Sequence, residues 1–298
     1  MRNSQKILIA VMLLTTACNS DSSDEPQTVR PDQKEISLNP DAQKIVEGTR
    51  TTFYDNSLLQ TNGFTCSAYK TGTTTPYINE RAVSYSDSQW IISGHPYYWP
   101  EYDLDFFAYT FVPSNITSLT YSYSGGQRVS FDCDLTSEAD TEFVYALAAG
   151  QNSTDNGTGV ILAFQHPFTR LKLQLAADHP DITIESITFK TVYQQGSYSN
   201  GWNSTSNAGN IVWTLNTEYP HSTSIRVLDD SRLVIPQNWG GEIEVTASWT
   251  VWGERVSHTL STTLNNTQNW QPGYSYTYTF TITETDLIVN TERFTEQW

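Results

Sequence analysis

The sequence predicts an all-β chain, built as two tandem antiparallel β-sandwiches behind a cleavable leader. Three observations carry that expectation. Apolar and polar residues alternate with period two in many short runs, the pattern of a strand with one face on a core. Clusters of Gly, Pro, Asn and Asp separate those runs, as they do in sandwiches and barrels. No long stretch shows the 3.6-residue periodicity of an amphipathic helix.

The candidate strands fall into two sets. Glu35 to Leu38 opens the first and is ended by Asn39-Pro40. Phe64 to Tyr69, Ser88 to Ile92, Leu104 to Phe111, Leu119 to Ser124, Val129 to Cys133, Phe143 to Ala149 and Val160 to Phe164 follow. Gly125-Gly126 lies between two alternating runs and reads as a hairpin turn. A Gly-rich stretch precedes Val160, and the boundary between halves is placed after Phe164. The second set begins with Leu171, Leu173 and Leu175, alternating with Lys172 and Gln174. It continues through 182–192, 211–215, 224–227, 232–235, 243–252, 258–264 and 274–283. Tyr276, Tyr278, Phe280 and Ile282 share one face of the last run.

The first residues predict export. Arg2 and Lys6 precede the apolar run Ile7 to Leu14, which is too short to span a bilayer but fits the apolar region of a signal peptide. Small residues lead into Cys18, and the pattern resembles the lipobox of bacterial lipoproteins, in which that Cys is acylated. Residues 19–31 are polar and acidic and read as a solvated tether. The expected organisation is a lipoprotein signal peptide over 1–17, and a lipidated tether and prosegment with the first strand over 18–50. An N-terminal sandwich follows over 51–164 and a C-terminal one over 165–298.

The net charge of −16 is set by 16 Lys+Arg against 32 Asp+Glu. Such a field repels a phosphate backbone, so nucleic acid is not an expected partner. Besides Cys18, the chain has Cys66 and Cys133, both in strand-like runs. Two readings stay open for them: a disulfide in an oxidising compartment, or two buried thiols packing as small apolar groups.

No catalytic centre, metal site or cofactor motif is expected. H-E-x-x-H, G-x-S-x-G, C-x-x-C and Gly-rich phosphate loops are all missing. His95, His166, His179, His221 and His258 lack metal-ligand spacing. Glu101, Asp103 and Asp105 read as the solvent face of a strand, with a Ca²⁺ site as the lesser alternative. Tyr97-Tyr98-Trp99-Pro100 reads as core, with an exposed glycan-stacking patch as the alternative.

Five segments together resemble the fimbrillin family, the type V pilus subunits of Bacteroidetes-type bacteria. They are Thr49 to Phe53; Trp90 with Tyr98-Trp99-Pro100 and Leu104 to Tyr109; Phe164 to His166 with Arg170 to Leu173; Leu233 to Gln237; and Trp270 to Tyr274 with Tyr276 to Tyr278. The resemblance implies transthyretin-like sandwiches and a non-enzymatic structural role. It implies export to the outer membrane surface as a lipoprotein, then incorporation into an extracellular fimbria. A trypsin-like protease would cut between Arg50 and Thr51, removing the lipid anchor and a first strand around Glu35, Ile36 and Leu38. The groove so opened would accept the C-terminal segment of another pilus subunit. In this sequence the donor candidate is Leu287, Ile288, Val289, Phe294 and Trp298, and the alternative left open is that the same segment pairs within its own C-terminal domain. A host or bacterial surface ligand is a further expected partner. A surface lipoprotein that never polymerises, and binds glycans or host proteins through the aromatic patch, is the alternative.

Overall fold

The computed structural model describes residues 33–42, 54–94, 96–137, 142–155, 159–177, 182–219, 222–264, 267–283 and 287–294. Among them the regular structure is β-sheet plus one short helix. The first half runs β1 (Leu38–Asp41), α1 (Asn56–Asn62), β2 (Phe64–Lys70), β3 (Pro76–Ser86), β4 (Gln89–Ile92), β5 (Leu104–Tyr109), β6 (Ile116–Tyr123), β7 (Gln127–Asp134), β8 (Tyr145–Gln151) and β9 (Val160–Gln165). The second half runs β10 (Thr169–Ala177), β11 (Ile182–Ser199), β12 (Trp202–Tyr219), β13 (Ser222–Val234), β14 (Asn238–Trp239), β15 (Glu242–Val251), β16 (Glu254–Thr263), β17 (Gln268–Asn269), β18 (Ser275–Ile282) and β19 (Leu287–Phe294). The chain is all-β, as its alternating pattern predicts.

A seven-stranded sheet has the order β1-β9-β8-β5-β2-β3-β4. Its two ends curl toward each other, since Ile36 to Pro40 on one side and Gln89 and Trp90 on the other line a single groove of about 600 Å³. Inside the curl lies an apolar core that includes Ile36, Leu38, Leu59, Cys66, Phe106, Val160 and Leu162. Helix α1 helps to cover it. Asp55 caps the helix by accepting from Leu58 N at 2.8 Å, and Gly63 ends it by donating to Leu59 O at 2.8 Å. Gly63 has φ +69°, and a Cβ there would lie 2.3 Å from Val83 O, so only glycine fits.

A four-stranded sheet, β13-β10-β18-β19, belongs wholly to the second half. Leu171, Leu173 and Leu175 of β10 and Tyr276, Tyr278, Phe280 and Ile282 of β18 join Ile187, Phe189, Val245 and Trp213 in its core. Each of these faces was legible as a period-two run.

The third sheet joins the halves. Strand β11 pairs along one edge with β12. Its other edge meets β15 over residues 183–189 and β7 over residues 195–199. A strand of 18 residues reaches roughly 60 Å at about 3.3 Å per residue, enough to serve both halves. The expected division after Phe164 therefore runs through a sheet that both halves share. A third core fills the junction: Phe131, Phe143, Tyr145, Phe168 and Tyr198 are buried there together. Phe131 stacks on Tyr198 at 4.7 Å, and the hydroxyls of Tyr145 and Tyr198 meet at 2.6 Å.

The sequence expectation ends the first strand at Asn39-Pro40, yet β1 begins at Leu38 and runs through both residues. Val160 N donates to Ser37 O, so residues 37, 39 and 41 bond toward β9 and Pro40 does not need to. Proline is tolerated on such an edge.

Replacing Tyr198 by Phe should lower unfolding free energy by about 1–3 kcal/mol, because the buried Tyr145 hydroxyl loses its partner. Urea denaturation followed by tryptophan fluorescence measures this, and an unchanged midpoint would refute it.

Candidate functional site

The leading segment is built into the first half. Glu35 bridges Tyr98, Ile36 N donates to Tyr97 O at 2.7 Å, and Trp99 N donates to Lys34 O at 3.0 Å. One residue later the segment turns to the other neighbour. Leu38, Asn39, Pro40 and Asp41 lie parallel to Val160, Ile161, Leu162 and Ala163. Ile36, Leu38 and Ala42 are buried, whereas Glu35 is exposed. Burying an Ile or a Leu contributes roughly 1.5–3 kcal/mol each. Gly159 makes the close approach possible: it has φ +98°, and a Cβ there would come within 3.1–3.3 Å of Ser37 and Leu38. Asn56 anchors the exit, accepting from Ala42 N at 2.6 Å and donating to Asp41 at 3.1 Å. The segment is thus an edge strand whose apolar side chains plug the curled sheet.

Cys18, Arg50 and Thr51 lie outside the described residues. The chain re-enters at Tyr54, which is buried. Its N–H donates to Glu142 at 3.3 Å, and Glu142 meets His166 Nδ1 at 2.9 Å. Tyr54 therefore anchors the chain next to the expected cut, a role that the sequence pattern did not reveal.

The C-terminal segment pairs within its own chain. β19 lies antiparallel to β18, from Leu287 opposite Ile282 to Phe294 opposite Ser275. Leu287 is buried and Val289 packs on the core, while Ile288 is about half exposed at 48%. Trp298 lies outside the described residues. The strand occupies the end of a four-stranded sheet, with nothing paired to its far side among the described strands.

A family model described as fimbrillin-like matches residues 49–298. This chain belongs to the fimbrillin-like family. Membership places it among fimbrial, adhesion-related proteins. No curated protein matches it. Among solved structures, a fimbrial protein from Bacteroides vulgatus is 17% identical, with a TM-score of 0.58, over 83% of this chain and 99% of that one. A candidate cell adhesion protein from Bacteroides uniformis is 16% identical, with a TM-score of 0.55, over 90% of this chain and 100% of that one. A third, from Bacteroides ovatus, is 12% identical, with a TM-score of 0.52, over 87% and 96%. At these identities the likeness is one of fold.

Three further residue groups in this fimbrillin-like chain can now be placed. Tyr97 and Trp99 are buried and Tyr98 is half-buried, so the cluster is core, as first read, and offers no flat exposed patch. Asp105 departs from the expectation of a solvent face. It is fully buried and accepts from Thr71 Oγ1, Gly72 N and Gly150 N, which ties two loops together. The β5 strand is covered on both faces, so its alternation does not mark a wet side. Cys66 and Cys133 are free thiols in two different apolar cores, and no disulfide joins them.

Burial pushes the Cys66 thiol up to about 12 and holds Cys133 well above its ordinary value. The folded Cys66 keeps its proton more tightly than the unfolded chain does. Its contribution is therefore full below about 9 and is lost as pH rises toward 12. In a Cys18→Ser chain, Ellman's reagent at pH 8 should find both remaining thiols silent when folded and reactive in guanidinium. Rapid native labelling would contradict their burial. Leu38→Asp should destabilise the uncut chain by about 2–4 kcal/mol and speed amide exchange along β9, whereas Glu35→Ala should change little. Hydrogen exchange read by mass spectrometry decides between them.

Proposed function

We propose that this protein is a structural subunit of a cell-surface fimbria, stalk or tip, that contributes to adhesion after protease-triggered donor-strand exchange. The precursor is carried to the outer membrane on a lipid at Cys18. A trypsin-like protease cuts between Arg50 and Thr51. The released segment takes β1 with it and leaves the curled sheet without the plug formed by Ile36, Leu38 and Ala42. The terminal segment of another subunit then enters, with Leu287, Ile288, Val289, Phe294 and Trp298 supplying its strand. Strand addition gains main-chain bonds along an open edge and seats alternate side chains in pockets.

The observation that supports this reading most is the seating of β1. The leading segment ends the sheet as β1, which meets β9 over four paired positions, and just ahead of β1 it is held by two backbone bonds to residues 97–99, yet it buries Ile36, Leu38 and Ala42 in the core. Such an element can leave without dismantling the strands behind it, but its departure exposes apolar surface that needs a cover. The terminal strand is likewise at a sheet end. Burial of Trp99 removes the main support for the alternative in which an aromatic patch binds ligands without polymerisation.

Limited trypsin treatment should yield a stable fragment beginning at Thr51 and, on standing, a ladder of oligomers that resists dilution. Arg50→Ala should abolish both. Deletion after Asp286 should permit cleavage but stop the ladder. A ladder that grows equally well in either variant would overturn the proposal, as would a cut protein that stays monomeric.

A further inference from the structure

A second cavity, of about 720 Å³, lies where the two halves meet and is distinct from the groove beside β1. Its size falls within the usual range for small-molecule sites. Its walls come from the end of β9, the β11–β12 turn, and the loops around the small β14–β17 ladder. Several anchors fix those walls. Trp202 Nε1 donates to Pro167 O at 2.6 Å, and the ring packs 5.5 Å from both Phe168 and Tyr198. Asn200 accepts from Val129 N at 2.8 Å and donates to Gln127 O at 2.7 Å. Gln237 accepts from Tyr193 N at 2.9 Å and donates to Tyr193 O at 3.0 Å. These contacts build the cleft before any ligand arrives.

The β14–β17 ladder supplies the polar groups. Asn238 and Asn269 are register partners, so their side chains stand side by side on one face. Both residues are exposed at the cleft. On the other face, Trp239 is buried and stacks on Trp270 at 5.1 Å, which pins the ladder in place. Gln165 adds an exposed amide, and Trp202 and Tyr274 add half-buried rings. Among the described lining residues, Asp41 is the one carboxylate and there is no Lys or Arg.

We propose that this cleft binds a neutral saccharide. Paired amides each offer a donor and an acceptor, which suits adjacent hydroxyls of a sugar ring. Aromatic faces suit the apolar C–H face of the same ring. The absence of Lys and Arg from the described lining, together with Asp41 and a net charge of −16, disfavours sialylated or sulfated glycans. The uncut chain carries all of these lining residues, Asp41 of β1 included, so the site is open to test there without cleavage or strand exchange.

The full chain is titrated with lactose, maltotriose, mannotriose and N,N′-diacetylchitobiose, with 3′-sialyllactose as the acidic control. Tryptophan fluorescence and calorimetry give the readout. At least one neutral sugar should bind saturably, and sialyllactose should bind more weakly than lactose. Asn238→Ala with Asn269→Ala should weaken the best ligand by roughly tenfold, as expected for two lost hydrogen bonds, with the melting temperature unchanged. If the double variant melts early, the two single variants take its place, since each leaves the ladder backbone intact. The proposal fails if no neutral sugar binds up to its solubility, if the variants bind as well as the parent, or if the acidic sugar binds best. None of those results bears on fibre assembly, and a failure to polymerise does not bear on sugar binding.

Discussion

The architecture depends on one strand that serves two halves. β11 keeps β12 along one edge and gives its other edge first to β15 and then to β7. Between those partners the register shifts and Thr191 takes φ +60°, a local irregularity where the strand passes from one half to the other. The aromatic core around Phe131, Tyr145 and Tyr198 closes the same junction with side chains. The orientation of the halves, and hence the walls of the cleft between them, follows from this shared ladder. The amide cleft is preformed because the turn after β11 and the ladder beside it hang from the same frame.

Against that frame, the two ends of the chain are held differently. β1 meets one parallel neighbour over four positions, while β19 meets an antiparallel one over eight. Parallel pairs are slightly weaker per residue than antiparallel ones. Yet the leading segment contributes more to its core than the β1 ladder suggests, because Ile36 and Ala42 on either side of it are buried along with Leu38. Backbone attachment is thin and side-chain burial is substantial. The same division of labour appears at α1, where about two turns are kept by caps and by Leu59 rather than by length.

Much of this was legible where alternation is clean. The face of Tyr276, Tyr278, Phe280 and Ile282, the Leu171-Leu173-Leu175 face and the Gly125-Gly126 hairpin all stand as read. β3 was not legible, because a bulge at Glu80 (φ +45°) breaks its period and shifts its register on β2. α1 is too short to show periodicity, and only Asp55 and Gly63 mark its ends. β11 looked like a strand ending near Val192, since residues 193–197 are polar or small; long-range pairing with β7, absent from any local pattern, extends it. The leading strand was anticipated, but its paired stretch lies a few residues further on than expected. Asp105 misled for a related reason: a carboxylate in a strand reads as wet, and only tertiary packing shows the three donors that satisfy it. The cleft escaped notice because Asn238 and Asn269 are far apart in the chain and meet only through a two-residue ladder.

The continuity of β11 also has a mechanical side. A pull that separates the halves along this strand meets hydrogen bonds lying across the direction of load. Those bonds must slide together instead of opening one after another like a zip. A hinge made of an ordinary linker would extend under the same tension and let the halves swing. Here tension is carried along a single backbone shared by both, so the molecule behaves less like two beads on a string and more like a stiff link in a chain.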